Sequence, residues 1–148
     1  GGGLVGIVTK TGPDWAQVRS IIDDMSNVSA MILKNSDLCY VRGDLEMMSE
    51  GTLQLNQLRD QNDEVESGDK VVTSYASAKY HKGILIGYVN ELAVDSNNLT
   101  KSGSITPAVG FEHLSTVLVI TDLKQQVDES QADATEEDTL LDETTETE

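Results

Sequence analysis

Aromatic rings, thiols, cations and long apolar runs are all scarce in this chain, and each shortage closes off a class of protein. With one Phe, one Trp and four Tyr among 148 residues, the core has to be built from Val, Ile, Leu and Ala. Such branched side chains suit the narrow interior of a small β-barrel. The single cysteine, Cys39, rules out an intrachain disulfide, and its place in the apolar run Leu38-Cys39-Tyr40-Val41 reads as a buried, inert thiol. Ten Lys and Arg stand against 26 Asp and Glu, a net charge of −16. That balance repels phosphate backbones and anionic membrane surfaces alike, so it argues against nucleic-acid binding and direct lipid binding. No stretch approaches the roughly 18 apolar residues of a membrane span, and no charged-then-apolar signal segment opens the chain. The sequence instead enters directly into Leu4-Val5-Gly6-Ile7-Val8, and an anchor ahead of it is expected.

What is present is a succession of short β-type runs and turn residues. Leu4 to Thr11 is β-branched and apolar, and Gly12-Pro13-Asp14 supplies a turn from a flexible residue, a fixed φ and a side-chain acceptor. Trp15 to Ile22, Val28 to Leu33 and Leu38 to Arg42 follow as strands, the last two joined through Lys34-Asn35-Ser36-Asp37 as a hairpin. Leu45-Glu46-Met47-Met48 fits a strand or a short helical turn, with the strand slightly favoured. Thr52 to Leu58 alternates strictly, Leu53 and Leu55 against Gln54 and Asn56, and predicts a strand with one wet face.

Arg59 to Gly68 is polar and acidic and forms the main internal linker. Lys70 to Ser74 then reads as a strand, Tyr75 to Gly83 as a long loop and Ile84 to Val94 as a long strand. Asp95 to Ser104 is a turn-rich excursion before a strand over Ile105 to Val109. Phe111 to Leu114 fits one helical turn, and Thr116 to Thr121 is expected as the last strand. About nine strands with almost no helix predict an all-β protein.

Gly3-Leu4-Val5-Gly6-Ile7-Val8 echoes Gly83-Ile84-Leu85-Ile86-Gly87-Tyr88-Val89, each an apolar run broken by a second glycine, as at a bulge or a barrel corner. The expected organisation is a small antiparallel β-barrel region over residues 1–124, one complete barrel with part of a second. Residues 125–148 hold 10 acidic groups and no Lys or Arg, leaving a balance of −6 before them. With so little apolar surface to offset the entropy of ordering, this tail is expected to be disordered.

Candidate chemistry is sparse. Small paired barrels also frame chymotrypsin-like proteases, and His81 and His113 are the only available imidazole bases. His81 lies in Lys79-Tyr80-His81-Lys82, His113 follows Phe111-Glu112, and no Gly-x-Ser-x-Gly or Gly-Asp-Ser-Gly presents a nucleophile. Two histidines and one cysteine at unrelated spacings are a poor zinc set. Asp60-Gln61-Asn62-Asp63-Glu64-Val65-Glu66 is acid-rich but lacks the spacing and central glycine of a calcium loop. No cofactor is expected. A degenerate protease-like barrel and an acidic metal-binding module stand as the alternatives to a binding protein.

Three ordered motifs carry a resemblance: Gly68-Asp69-x-Val71-Val72-Thr73-Ser74, then Lys82-Gly83-Ile84-x-Ile86-Gly87, then Pro107-Ala108-Val109 followed by Leu114-x-x-Val117. Over Gly3 to Leu123 the chain resembles the extracytoplasmic β-domain of the rod shape-determining MreC family. The resemblance implies a non-enzymatic scaffold of the bacterial cell-elongation machinery, regulating cell shape by organising peptidoglycan-synthesis proteins. It implies a membrane-anchored protein with its barrels on the cell-wall side. The implied partners are the elongation transpeptidase (a class B penicillin-binding protein), MreD, the actin-like MreB and further copies of the same protein. Where family members commonly have glycines after Thr-Ser and Phe-Pro before Lys-Gly, this chain has Tyr75-Ala76-Ser77-Ala78 and Tyr80-His81; Gly110 stands where an Asp is common. The loop is therefore stiffer and differently decorated. Tyr75, Tyr80 and His81 are its candidate partner-binding residues, since aromatics in a polar loop often mark contact points.

Overall fold

Strand pairing follows the predicted runs closely enough to close a ring. The computed structural model describes residues 2–123, and the acidic tail expected beyond Gln125 lies outside the described residues. The described residues form eight strands: β1 (Gly6–Thr11), β2 (Ala16–Ser20), β3 (Asn27–Ile32), β4 (Leu38–Arg42), β5 (Leu53–Leu58), β6 (Lys70–Thr73), β7 (Leu85–Val94) and β8 (Lys101–Pro107). β3 to β8 make a closed antiparallel barrel in the order β3-β4-β5-β8-β7-β6, while β1 and β2 pair only with each other. The all-β, MreC-like expectation is met.

The barrel interior is aliphatic, as the shortage of rings demands. Val28, Ala30 and Ile32 from β3, Val41 from β4, Leu53 and Leu55 from β5, Val71 from β6, Ile86 from β7 and Ile105 from β8 are all fully buried. Cys39 joins them, and burial pushes its thiol up to about 12, so it stays protonated and unreactive at neutral pH. Closure needs curvature, and the register shifts in β5, β6 and β7 supply it. In β5 the shift coincides with Gln57 at φ +54°.

The Arg59–Asp69 linker adds the buried Val65 to the core. Two lysines fasten it. Lys101 meets Asp60 at 2.8 Å and also Asp63, and Lys34 meets Asp69 at 2.8 Å. Burial pushes the Asp60 carboxyl up, but Lys101 and the backbone N–H groups of Glu64 and Val65 outweigh it and hold that carboxyl below the usual range.

Three predicted elements come out differently. Leu45–Met48 is a helical turn, α1, because Asp44 caps it by accepting from the Met47 N–H at 3.0 Å, the usual way a helix start satisfies a free donor. The Asp95–Ser104 excursion is shorter than expected, since Lys101 to Ser104 already pair with both β5 and β7. Thr116–Thr121 forms no strand. The ring closes without it, and Val117, Val119 and Ile120 stay exposed. Phe111–His113 makes the expected single helical turn.

Candidate partner-binding surface

The β6–β7 loop, Ser74 to Ile84, leaves and re-enters the barrel wall under tight hydrogen-bond control. Thr73 is fully buried, and its hydroxyl donates to the His81 carbonyl at 2.5 Å while accepting from the Ile84 N–H at 2.8 Å. Ser74, also fully buried, shares a 2.8 Å hydrogen bond with the Ser29 hydroxyl on β3 and accepts from the Ala76 N–H. Ser77 accepts from the Lys79 and Tyr80 N–H groups. The Thr-Ser pair of the first motif is thus the root of the loop, and Gly83 at φ +85° completes its return.

This frame separates the three candidate residues. Tyr75 is 57% exposed and Tyr80 only 9%. Tyr80 packs into the barrel core. Burial raises its hydroxyl above the ordinary tyrosine value, against a hydrogen bond with Ser26 and the nearby Arg19 charge. His81 is half-buried, with its Nε2 donating to the Asp122 carbonyl at 2.6 Å. Tyr75 and the edge of His81 are therefore the solvent-facing members of the candidate set, and Tyr80 fixes the loop beneath them.

Lys79 and Lys82 flank this surface and are exposed. Neither has a carboxylate partner among the described residues. Arg19 reaches the same neighbourhood from β2, and Asp122 from the last of the described residues; both are distant in sequence, so no local pattern could have placed them. No His-Ser-carboxylate alignment occurs among the described residues: the His81 ring contact is the Asp122 carbonyl. Among the same residues no group of three or more His, Cys, Asp or Glu side chains is placed to hold a metal ion.

Comparison with known proteins agrees with this architecture. Residues 1–121 match the family model described as rod shape-determining protein MreC, barrel core. The chain belongs to the MreC family. A curated MreC relative, the cell shape-determining protein of Listeria monocytogenes, is 30% identical over 145 residues, covering 97% of this chain and 46% of the relative. The chain thus spans just under half the length of that relative. The solved Listeria monocytogenes MreC superposes with a TM-score of 0.62 at 30% identity, over 73% of this chain and 51% of that one. A Helicobacter pylori structure of penicillin-binding protein PBP2 in complex with MreC shares the fold at TM-score 0.55 and 17% identity, over 74% of this chain and 64% of that one. Cell-shape determination is accordingly the role of the family in which this barrel sits.

Proposed function

We propose that this chain is the barrel part of a non-enzymatic scaffold that organises peptidoglycan-synthesis proteins during cell elongation. Family membership over residues 1–121 carries the reading. The filled aliphatic interior supports it, because a barrel with no room for a substrate inside offers only its surface. A class B penicillin-binding protein, the elongation transpeptidase, is the direct partner on this reading, by analogy with the Helicobacter pylori complex. MreD, MreB and further copies complete the assembly, with the barrel held on the cell-wall side by a membrane anchor outside these residues.

Within the chain, the contact surface is the loop bearing Tyr75, His81 and the underlying Tyr80. Its frame of buried hydroxyls reduces the ordering that binding would otherwise cost. The β1–β2 ribbon and the apolar stretch from Leu114 to Leu123 belong, on the same reading, to a second barrel. Their open edges and exposed Val18, Val119 and Ile120 are what strands lacking neighbours present.

Calorimetric titration of the chain against the soluble extracytoplasmic part of the same organism's elongation transpeptidase tests this. Saturable binding of micromolar strength or better, about −8 kcal/mol, is expected. Tyr75→Ala should weaken it by about tenfold, as for a partly buried interface aromatic. A folded chain that shows no saturable binding, or binding indifferent to Tyr75, would contradict the proposal.

A further inference from the structure

Residues 60–67 are joined to the barrel by side chains. Backbone hydrogen bonds bound the segment at either end, from the Arg59 N–H to the Leu38 carbonyl and from the Gly68 N–H to the Val89 carbonyl. Between those points no backbone–backbone hydrogen bond reaches a strand among the described residues. Asp63 at φ +55° and Gly68 at φ +94° turn the chain, and Val65 alone in the segment is buried.

What holds the segment is mostly charge. The Asp60 side chain is 0% exposed and gathers the Lys101 ammonium at 2.8 Å, the Glu64 N–H at 2.9 Å and the Val65 N–H at 3.2 Å. Lys101 also meets Asp63. From the β3–β4 turn, Lys34 donates to the Glu64 carbonyl at 2.5 Å and pairs with Asp69 at 2.8 Å, while Asp69 accepts from the Glu66 N–H at 2.7 Å. The Ser67 hydroxyl adds one long contact, 3.4 Å to the Val89 carbonyl. Asp60 is the hub, because one charge strengthens both the ion pair and the two N–H contacts that set Val65 in place.

We propose that residues 60–67 are an acid-released latch: protonation of Asp60 and Asp69 frees the segment and withdraws Val65 from the core while β3 to β8 stay closed. Asp60 is faced by Lys101 from β8, by Asp37 of the β3–β4 turn and by Asp69 beyond the segment, with Asp63 sharing Lys101. Lys34 faces Asp69, Glu66 and Glu64. Burial works to raise the Asp60 and Asp69 carboxyls, but their N–H donors and lysines outweigh it and hold both below the ordinary range. Their hold is therefore complete above the unfolded carboxylate value of about 4, and is lost as pH falls through the lower folded values. Asp37 runs the other way: burial and the Asp60 charge raise it, so it takes up its proton first and relieves Asp60 of a like charge before the latch opens. The ring itself rests on paired backbones and an aliphatic interior, which do not titrate, so the two can part as separate units. This inference does not depend on which partner the barrel binds.

Amide NMR of the full chain, followed from neutral pH down to about 2, well below the carboxylate range, tests it. The Glu64 and Val65 signals, which report the hydrogen bonds to Asp60, should move together to the positions of unstructured chain with a midpoint below about 4. Val41, Ile86 and Ile105 should keep their native positions through that transition. In Lys101→Met the same two signals should be displaced at neutral pH with the ring's signals native, and a protease specific for Glu should cut after Glu64 at least about tenfold faster than in the parent chain, as the open population rises. Loss of segment and ring in one transition would overturn the proposal, as would native Glu64 and Val65 positions throughout the titration. So would a Lys101→Met chain whose segment stays closed, or whose ring is lost together with the segment.

Discussion

The barrel and the segments beside it are written in the same amino acids and behave differently. Val28, Val41 and Val71 are fully buried within the ring, while Val18 on the ribbon and Val117 and Val119 after the last strand are about half exposed. What separates them is the number of neighbours each backbone has. Every strand from β3 to β8 is paired on both sides, whereas β1 and β2 have only each other. A two-stranded ribbon is marginal alone in water. Apolar β-branched sequence therefore records a capacity to pair, and closure decides where that capacity becomes stability.

The ring is most vulnerable at the seam between β7 and β8. Adding a Cβ at Gly103 would place it 1.8 Å from the Glu91 carbonyl oxygen, which the backbone can relieve only by opening the ring. Gly103→Val should cost more than about 4 kcal/mol, among the largest single-site effects, read from the urea midpoint or as failure to fold. Leu55→Ala, at a fully buried interior position, should cost about 3 kcal/mol through lost transfer energy and a cavity.

The linker latch comes next. Lys101→Ala leaves the Asp60 side chain, 0% exposed, with its two backbone N–H donors but without its counter-charge. A loss of about 2 kcal/mol is expected for a buried carboxylate that keeps its backbone donors and loses its charged one. Because the folded Asp60 carboxyl is held below its ordinary value, its contribution is fully present above the unfolded carboxylate value of about 4. It is lost as pH falls through the lower folded value. Urea midpoints measured down the acid limb should fall less steeply in Asp60→Asn than in the parent chain.

The smallest effect sharpens the contrast. Ile120→Ala, at an exposed apolar position outside the ring, should move the midpoint by less than about 0.5 kcal/mol. A loss comparable with that of Leu55→Ala would mean that this stretch is packed, and would dissolve the distinction.

The parts legible in the sequence were those whose information is local. The alternation through Leu53 and Leu55 located β5, and Thr73-Ser74 marked the root of the loop. Leu45–Met48 takes the less favoured of its two readings because its helical turn is settled by Asp44, by the Gln54 amide on Asp44 at 2.7 Å and by Asp24 on the Leu45 N–H at 2.9 Å, contacts that cross the chain. The polar first half of β8 was missed because Lys101-Ser102-Gly103-Ser104 has no apolar rhythm; its neighbours on both sides impose the strand. Thr116 to Thr121 failed the other way, with the rhythm and no neighbour. At the candidate surface, the aromatic loop was visible, but which tyrosine faces water was not. Ser77 decides that by turning the Tyr80 N–H inward, and Ser26 meets the ring's hydroxyl.

Hydrogen exchange of the full chain, alone and with the transpeptidase's soluble part, tests the central claim that stability resides in the closed ring and recognition outside it. The account predicts that Val41, Leu55, Ile86 and Ile105 exchange only through global opening and are slowed by the partner no more than its overall stabilisation of the fold requires. New local protection should be confined to the 75–82 loop, the ribbon and residues 114–123. Fast exchange throughout β3 to β8, or protection gained selectively within the barrel wall, would contradict it.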